Sequence, residues 1–141
     1  MEPLNLAGLP DRAVLLIDTA PIIYMLEGHP RLAAHFRPVF EAHATGSVVF
    51  ATTTITLAEV LTGPLRAGNE PLARRYRGLL QSWQLIELDA DIAETAARLR
   101  VTRQLKLADA VQAASALAIG AAALVTHDRD FSRLRELRIL S

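Results

Sequence analysis

The chain has 141 residues, 51% of them hydrophobic, with 15 basic and 15 acidic side chains and a formal net charge of zero. That length supports one domain with a substantial core. No apolar run approaches the roughly 18 residues of a membrane span, and a neutral chain can meet nucleic acid only through a local patch. With no cysteine there are no disulfides and no thiolate metal sites. The N-terminus lacks a charged start followed by an apolar stretch, so no signal peptide is expected and a cytoplasmic location is the default. The bases are 14 Arg and one Lys, Lys106. Arg suits phosphate contacts, although genomic base composition gives the same bias.

Residues 1–12 read as a polar, turn-rich and loose lead-in. Ala13 to Ile17, AVLLI, is the first buried strand, ended by Asp18. Pro21 fits the first turn of a helix over Ile22 to Leu26, closed by Gly28, His29 and Pro30. Arg31 to His43 is helical, and Pro38 is expected to kink or split it. Ser47 to Ala51 is the second strand. A Thr-rich turn leads into a helix with Leu57, Glu59, Val60 and Leu61, weakened near its end by Gly63-Pro64. Glu70 to Trp83 is an amphipathic helix carrying Arg74, Arg75 and Arg77. Leu85 to Leu88 is the third strand, and Asp89 or Asp91 caps a helix to about Arg103. Asp109 lies in the first turn of an Ala-rich helix running to about Ala118, which Gly120 stops. Ala121 to Thr126 is an apolar run suited to a strand covered on both faces. His127, Asp128, Arg129 and Asp130 follow at once. Phe131 to Leu137 reads as a short helix and Arg138 to Leu140 as a last strand. This alternation predicts an α/β fold with a parallel sheet and helices on both faces, in a single domain without repeats or linkers.

In an open parallel sheet, ligands bind at the carboxyl ends of the strands. Asp18 and Asp128 end separate buried strands, and Glu59 and Asp109 lie in early turns of helices that open above the sheet. Each acid has a structural explanation as well. Asp18 caps the next helix, Thr56-x-x-Glu59 has the pattern of a capping box, Asp109 complements a helix dipole, and Asp130 caps a helix starting at Phe131. Four converging carboxylates repel one another and raise their own pKa values. A divalent cation relieves that repulsion, and a donor set of oxygens favours Mg²⁺ or Mn²⁺. Such a site suits hydrolysis of a phosphodiester.

The segments IDTAPIIY (17–24), TLAEVL (56–61), LADAVQAASAL (107–117) and ALVTHDRDF (123–131) resemble the four acidic motifs of PIN-domain ribonucleases. Their order and spacing are similar to those of VapC-type toxins of bacterial toxin–antitoxin pairs, and the likeness runs from Val14 to Leu140. It implies a three-layer PIN-like fold with a parallel sheet of order 3-2-1-4-5 and helices on both faces. It also implies Mg²⁺- or Mn²⁺-dependent cleavage of RNA, a homodimer, and inhibition by a small antitoxin. Asp18, Glu59, Asp109 and Asp128 map onto the catalytic, metal-holding acids. Asp130 belongs to the Asp-Phe pair of the last motif and is a weaker metal ligand. Ala20 departs from the family, which usually has a small polar residue after Asp-Thr. This leaves the carboxylates intact and removes one hydrogen bond near the metal.

Thr19 and Thr126 each adjoin a mapped acid, and their hydroxyls can orient a carboxylate or water or touch RNA. Strand-end packing accounts for them equally well. Arg74, Arg75 and Arg77 fit RNA phosphate or an acidic antitoxin segment, or simply a solvated face. His127, beside Asp128, can contact phosphate but reads first as a solvent-facing turn residue. Ile22, Ile23, Leu26 and Phe36 present more apolar surface than one small sheet covers, which again suggests a dimer. Two other readings compete. One is a non-cleaving PIN-like module that binds RNA or protein. The other is an acid-phosphatase-like hydrolase with Asp18 as nucleophile, which lacks the second Asp two residues on.

Overall fold

The computed structural model describes residues 1–141. Five short strands form at the apolar runs: β1 (Ala13–Ile17), β2 (Val48–Thr53), β3 (Gln84–Ile86), β4 (Ala123–Val125) and β5 (Ile139–Leu140). They pair in parallel in the order β3-β2-β1-β4-β5, as the family resemblance implies. The helices between them are α1 (Thr19–Glu27), α2 (Leu32–Ala44), α3 (Thr54–Arg66), α4 (Glu70–Gln81), α5 (Ala90–Arg103) and α6 (Leu107–Ala118).

Side chains alternate across each strand, and the two faces of the sheet feed two cores. Leu15, Ile17, Phe50 and Val125 pack with Ile22, Phe36 and Val39 of α1 and α2, and with Val60 and Leu80 of α3 and α4. Leu16, Ala51 and Leu124 face the other way, against Ile92, Ala96 and Leu99 of α5 and the Ala-rich face of α6. Small residues let α6 lie close to the sheet, so residues 110–116 are buried around its whole circumference. No helix is long and apolar enough to cross a membrane.

Several local expectations are corrected. The lead-in is anchored: Leu4 is buried in the first core and its N–H donates to the His35 carbonyl at 2.9 Å. Pro38 and Pro64 sit inside continuous helices. An interior proline costs about 3 kcal/mol, and burial of Phe36 and Val39 around Pro38, and of Pro64 itself, offsets it. Ile22 and Phe36 are core residues, at 1% and 0% exposure. The half-buried apolar surface of α1 therefore reduces to Ile23, Tyr24, Met25 and Leu26. The expected helix at Phe131 is instead a 3-10 turn over Arg129–Arg133, because Leu134 returns to extended backbone and is itself buried.

Candidate active site

The register pairs Ile17 with Val125, so Asp18 and Thr126 leave adjacent strands side by side. Asp18 N–H donates to the Val125 carbonyl at 2.9 Å, continuing the ladder by one rung. Asp18 caps α1 as well: its Oδ1 accepts the Thr19 N–H at 2.9 Å. Its Oδ2 accepts the Thr126 hydroxyl at 2.7 Å. The Thr126 oxygen in turn accepts the Asp128 N–H at 3.0 Å. Capping and service at the strand ends are thus combined in one carboxylate.

Asp109 enters from the first turn of α6, whose N-terminus has no side-chain cap. Its carboxylate lies with those of Asp128 and Asp130, one oxygen from each within 4.8 Å of the others. Asp128, rather than Asp130, caps the 3-10 turn, its Oδ1 accepting the Asp130 N–H at 2.9 Å. Arg133 lies 3.6 Å from Asp130 and partly offsets its charge. Asp109 has no such relief, and its Oδ2 is buried without a hydrogen-bond partner. Its pKa is pushed up to about 7, first by burial, then by the neighbouring Asp128 carboxylate, then by Asp18 and Asp130. An ionised carboxylate only accepts, so a proton or a cation must satisfy that oxygen. The donor set is entirely carboxylate oxygen, which suits a hard divalent ion.

Glu59 stands apart from this trio. The Thr56-x-x-Glu59 capping box does not form, because the cap of α3 is Thr53, whose hydroxyl accepts the Thr56 N–H at 3.2 Å. Glu59 falls in the second turn, exposed, and its Oε1 accepts the Thr19 hydroxyl at 2.9 Å. Asp18 and Glu59 are linked through consecutive groups of the chain while Asp109, Asp128 and Asp130 form the tight group.

Gln112 is the residue that motif matching passes over. It lies one turn after Asp109 at 2% exposure, and its amide contacts Thr53 at 2.6 Å, Thr56 at 2.7 Å and Asp18 at 2.9 Å. Its signal in the sequence is a lone amide in the run AVQAASA, on a helix otherwise fit for complete burial. A buried polar group of that kind needs partners. His127 is exposed yet tethered, its Nδ1 3.0 Å from the Tyr24 hydroxyl and its ring edge-on to Tyr24 and Phe36. Arg74, Arg75 and Arg77 are exposed on α4 and form no ion pair. Arg74 and Arg75 line a shallow depression with Asn69, Pro71 and Leu72.

The family model of the PIN domain matches residues 15–137. No curated protein sequence matches the chain. Among solved structures, a toxin–antitoxin complex from Klebsiella pneumoniae has a chain 26% identical, with a TM-score of 0.72 over 90% of this chain and 96% of that one. VapBC-1 from nontypeable Haemophilus influenzae has a TM-score of 0.70 at 21% identity, covering 89% and 96%. Mycobacterium tuberculosis VapC20, described as a Sarcin-Ricin loop cleaving toxin, has a TM-score of 0.65 at 22% identity, covering 84% and 92%. With strand order, acidic strand ends and a model match over most of its length, the chain belongs to the PIN domain family.

Proposed function

We propose that the protein is a metal-dependent endoribonuclease and the toxin of a toxin–antitoxin pair, with residues 1–141 as a single nuclease domain. The observation that carries this reading is the Asp109–Asp128–Asp130 group with one orphaned carboxylate oxygen, set beside Asp18 at the ends of neighbouring strands. Likeness to solved toxin–antitoxin proteins supports it.

Asp18, Asp109 and Asp128 would hold Mg²⁺ or Mn²⁺, with Asp130 contributing less because Arg133 competes for it. A bound divalent ion would offset charge on the scissile phosphate and favour ionisation of the attacking water. Glu59 sits at the exposed rim, held by Thr19, where a carboxylate can orient that water or accept its proton. The water oxygen bonds to phosphorus as the P–O3′ bond breaks, and the departing oxygen takes a proton. The products carry a 3′-hydroxyl and a 5′-phosphate. Arg74, Arg75 and Arg77 are free of ion pairs and available to RNA phosphates or an acidic partner segment. Thr19 and Thr126 act mainly by holding Glu59 and Asp18. The cleft lined by Ile23, Leu26, Val60 and Tyr76 opens beside Glu59. At about 40 Å³ it takes no more than the tip of an apolar antitoxin side chain, so the antitoxin would lie over the α1 surface with a basic residue reaching the acids.

Analysis of the product ends tests the chemistry. Cleavage by the antitoxin-free protein should leave 5′-phosphates. Products with 2′,3′-cyclic phosphates would mean attack by the RNA's own 2′-hydroxyl and would contradict the proposal. Tight RNA binding with no cleavage under Mg²⁺ or Mn²⁺ would favour the non-cleaving module.

A further inference from the structure

Every hydrogen in the network around Gln112 can be placed from donor and acceptor rules. Asp18, when ionised, only accepts, so the Gln112 group facing its Oδ1 at 2.9 Å must be the amide nitrogen. This settles the amide's orientation, which heavy-atom positions alone do not. The Gln112 oxygen then accepts the Thr53 hydroxyl at 2.6 Å. The second amide hydrogen goes to the Thr56 oxygen at 2.7 Å. Glu59, the other carboxylate, takes the Thr19 hydroxyl hydrogen at 2.9 Å. Thr53 also lies 3.5 Å from the Thr56 oxygen, too long to compete for the hydrogen it gives Gln112 at 2.6 Å, so the Thr56 to Thr19 contact at 2.9 Å can run only with Thr56 donating. The result is one directed chain from Thr53 through Gln112, branching to Asp18 directly and to Glu59 by way of Thr56 and Thr19.

Two consequences follow. Asp18 Oδ1 already accepts from Thr19 N–H and Gln112, so both of its lone pairs are occupied. Its Oδ2 accepts only Thr126 and keeps one open. And Glu59, exposed and on a different helix, is oriented by groups that Gln112 orders. Resting on the nuclease reading above, we propose that Gln112 is the positioning residue of this site, restricting Asp18 to one open ligand atom and setting Glu59 relative to it through Thr56 and Thr19. A buried glutamine serving only the core would need partners of any kind. Here its donors end, directly or by relay, on the two acids outside the Asp109 group.

Gln112→Met keeps nearly the same length and volume and removes all three hydrogen bonds. Removal of partners behind metal ligands typically weakens metal binding or activity by about 10–100-fold. Calorimetric titration with Mn²⁺ should show at least about tenfold weaker binding by Gln112→Met, with kcat lowered and KM for RNA unchanged. Val111→Ala, a cavity in the adjacent buried position, controls for loss of stability and should bind Mn²⁺ as the parent does. In a double-mutant cycle, Gln112→Met and Glu59→Gln should be less than multiplicative on kcat, since both break one chain. Parent-like Mn²⁺ affinity in Gln112→Met, equal weakening in Val111→Ala, or fully multiplicative effects would overturn the proposal. A parent that binds Mn²⁺ but cuts no RNA refutes the nuclease reading alone, and the calorimetry still decides Gln112. A parent that binds no Mn²⁺ overturns both.

Discussion

The Thr126 hydroxyl oxygen lies 2.7 Å from Asp18 Oδ2 and 3.0 Å from the Asp128 amide nitrogen, so one fully buried side chain joins two strand-end acids. It donates to the first and accepts from the backbone of the second. Thr126→Val keeps the shape and removes both bonds. Hydrogen bonds to charged groups contribute about 1.5–3 kcal/mol. Urea denaturation in chelator should show a loss on the order of 1–3 kcal/mol, with weaker Mn²⁺ binding besides. Unchanged stability and metal affinity would mean that the hydroxyl contributes only packing.

Asp109 predicts the pH dependence of the metal-free protein. Its folded pKa is about 7 against an ordinary value of 3.8. Between those values the folded chain retains a proton that the unfolded chain has lost. Stability from this group therefore falls as pH rises from about 4 to about 7, then stays at its reduced level. Well below pH 3.8 both states are protonated, so stability from this group is fully present there and no longer varies with pH. Asp109→Asn should flatten this part of the profile and be more stable than the parent at pH 8 in chelator. A less stable variant, by the roughly 0.3–1 kcal/mol of a lost helix-dipole charge, would reduce Asp109 to a helix-start residue.

Phe131 couples packing to the site. It is completely buried in the second core, in the turn that carries Asp128 and Asp130. Phe131→Ala should cost about 3–5 kcal/mol and weaken Mn²⁺ binding, since the turn loses its anchor. Denaturation and calorimetry on the same sample read both effects. Parent-like metal affinity despite the lost stability would place the acids' alignment elsewhere.

The α1 surface leads to an association prediction. Ile23, Met25 and Leu26 remain half-buried beside Tyr24, and we expect a homodimer at micromolar concentration that uses this helix. Ile23→Glu should shift the mass toward monomer by light scattering. A parent that is strictly monomeric at that concentration would refute the dimer.

Much of the fold was legible because its elements are short and strongly patterned. The limits of β1 and the stop of α6 followed from AVLLI and Gly120. Strand order came from the family resemblance, since periodicity alone does not say which strands neighbour. Local sequence overstates the proline breaks because burial around Phe36 and of Pro64, a tertiary effect, holds both helices together. At the site, the acids were visible but their grouping was not. Asp130 stands inside the tight trio and Glu59 outside it, a distinction that depends on how the turn after Thr126 folds back. Gln112 went unread because motif logic follows charges, whereas its role lies in neutral donors arranged three-dimensionally.

RNA cleavage by antitoxin-free protein, followed across chelator, Mg²⁺ and Mn²⁺ for the parent and Asp109→Asn, decides whether the acids form a catalytic metal site. The parent should cleave only with metal, and a folded Asp109→Asn protein should not cleave at all. The parent alone should also gain several degrees in melting temperature on adding metal, as expected when an ion binds only the folded state. Cleavage that persists in chelator and survives Asp109→Asn would contradict such a site.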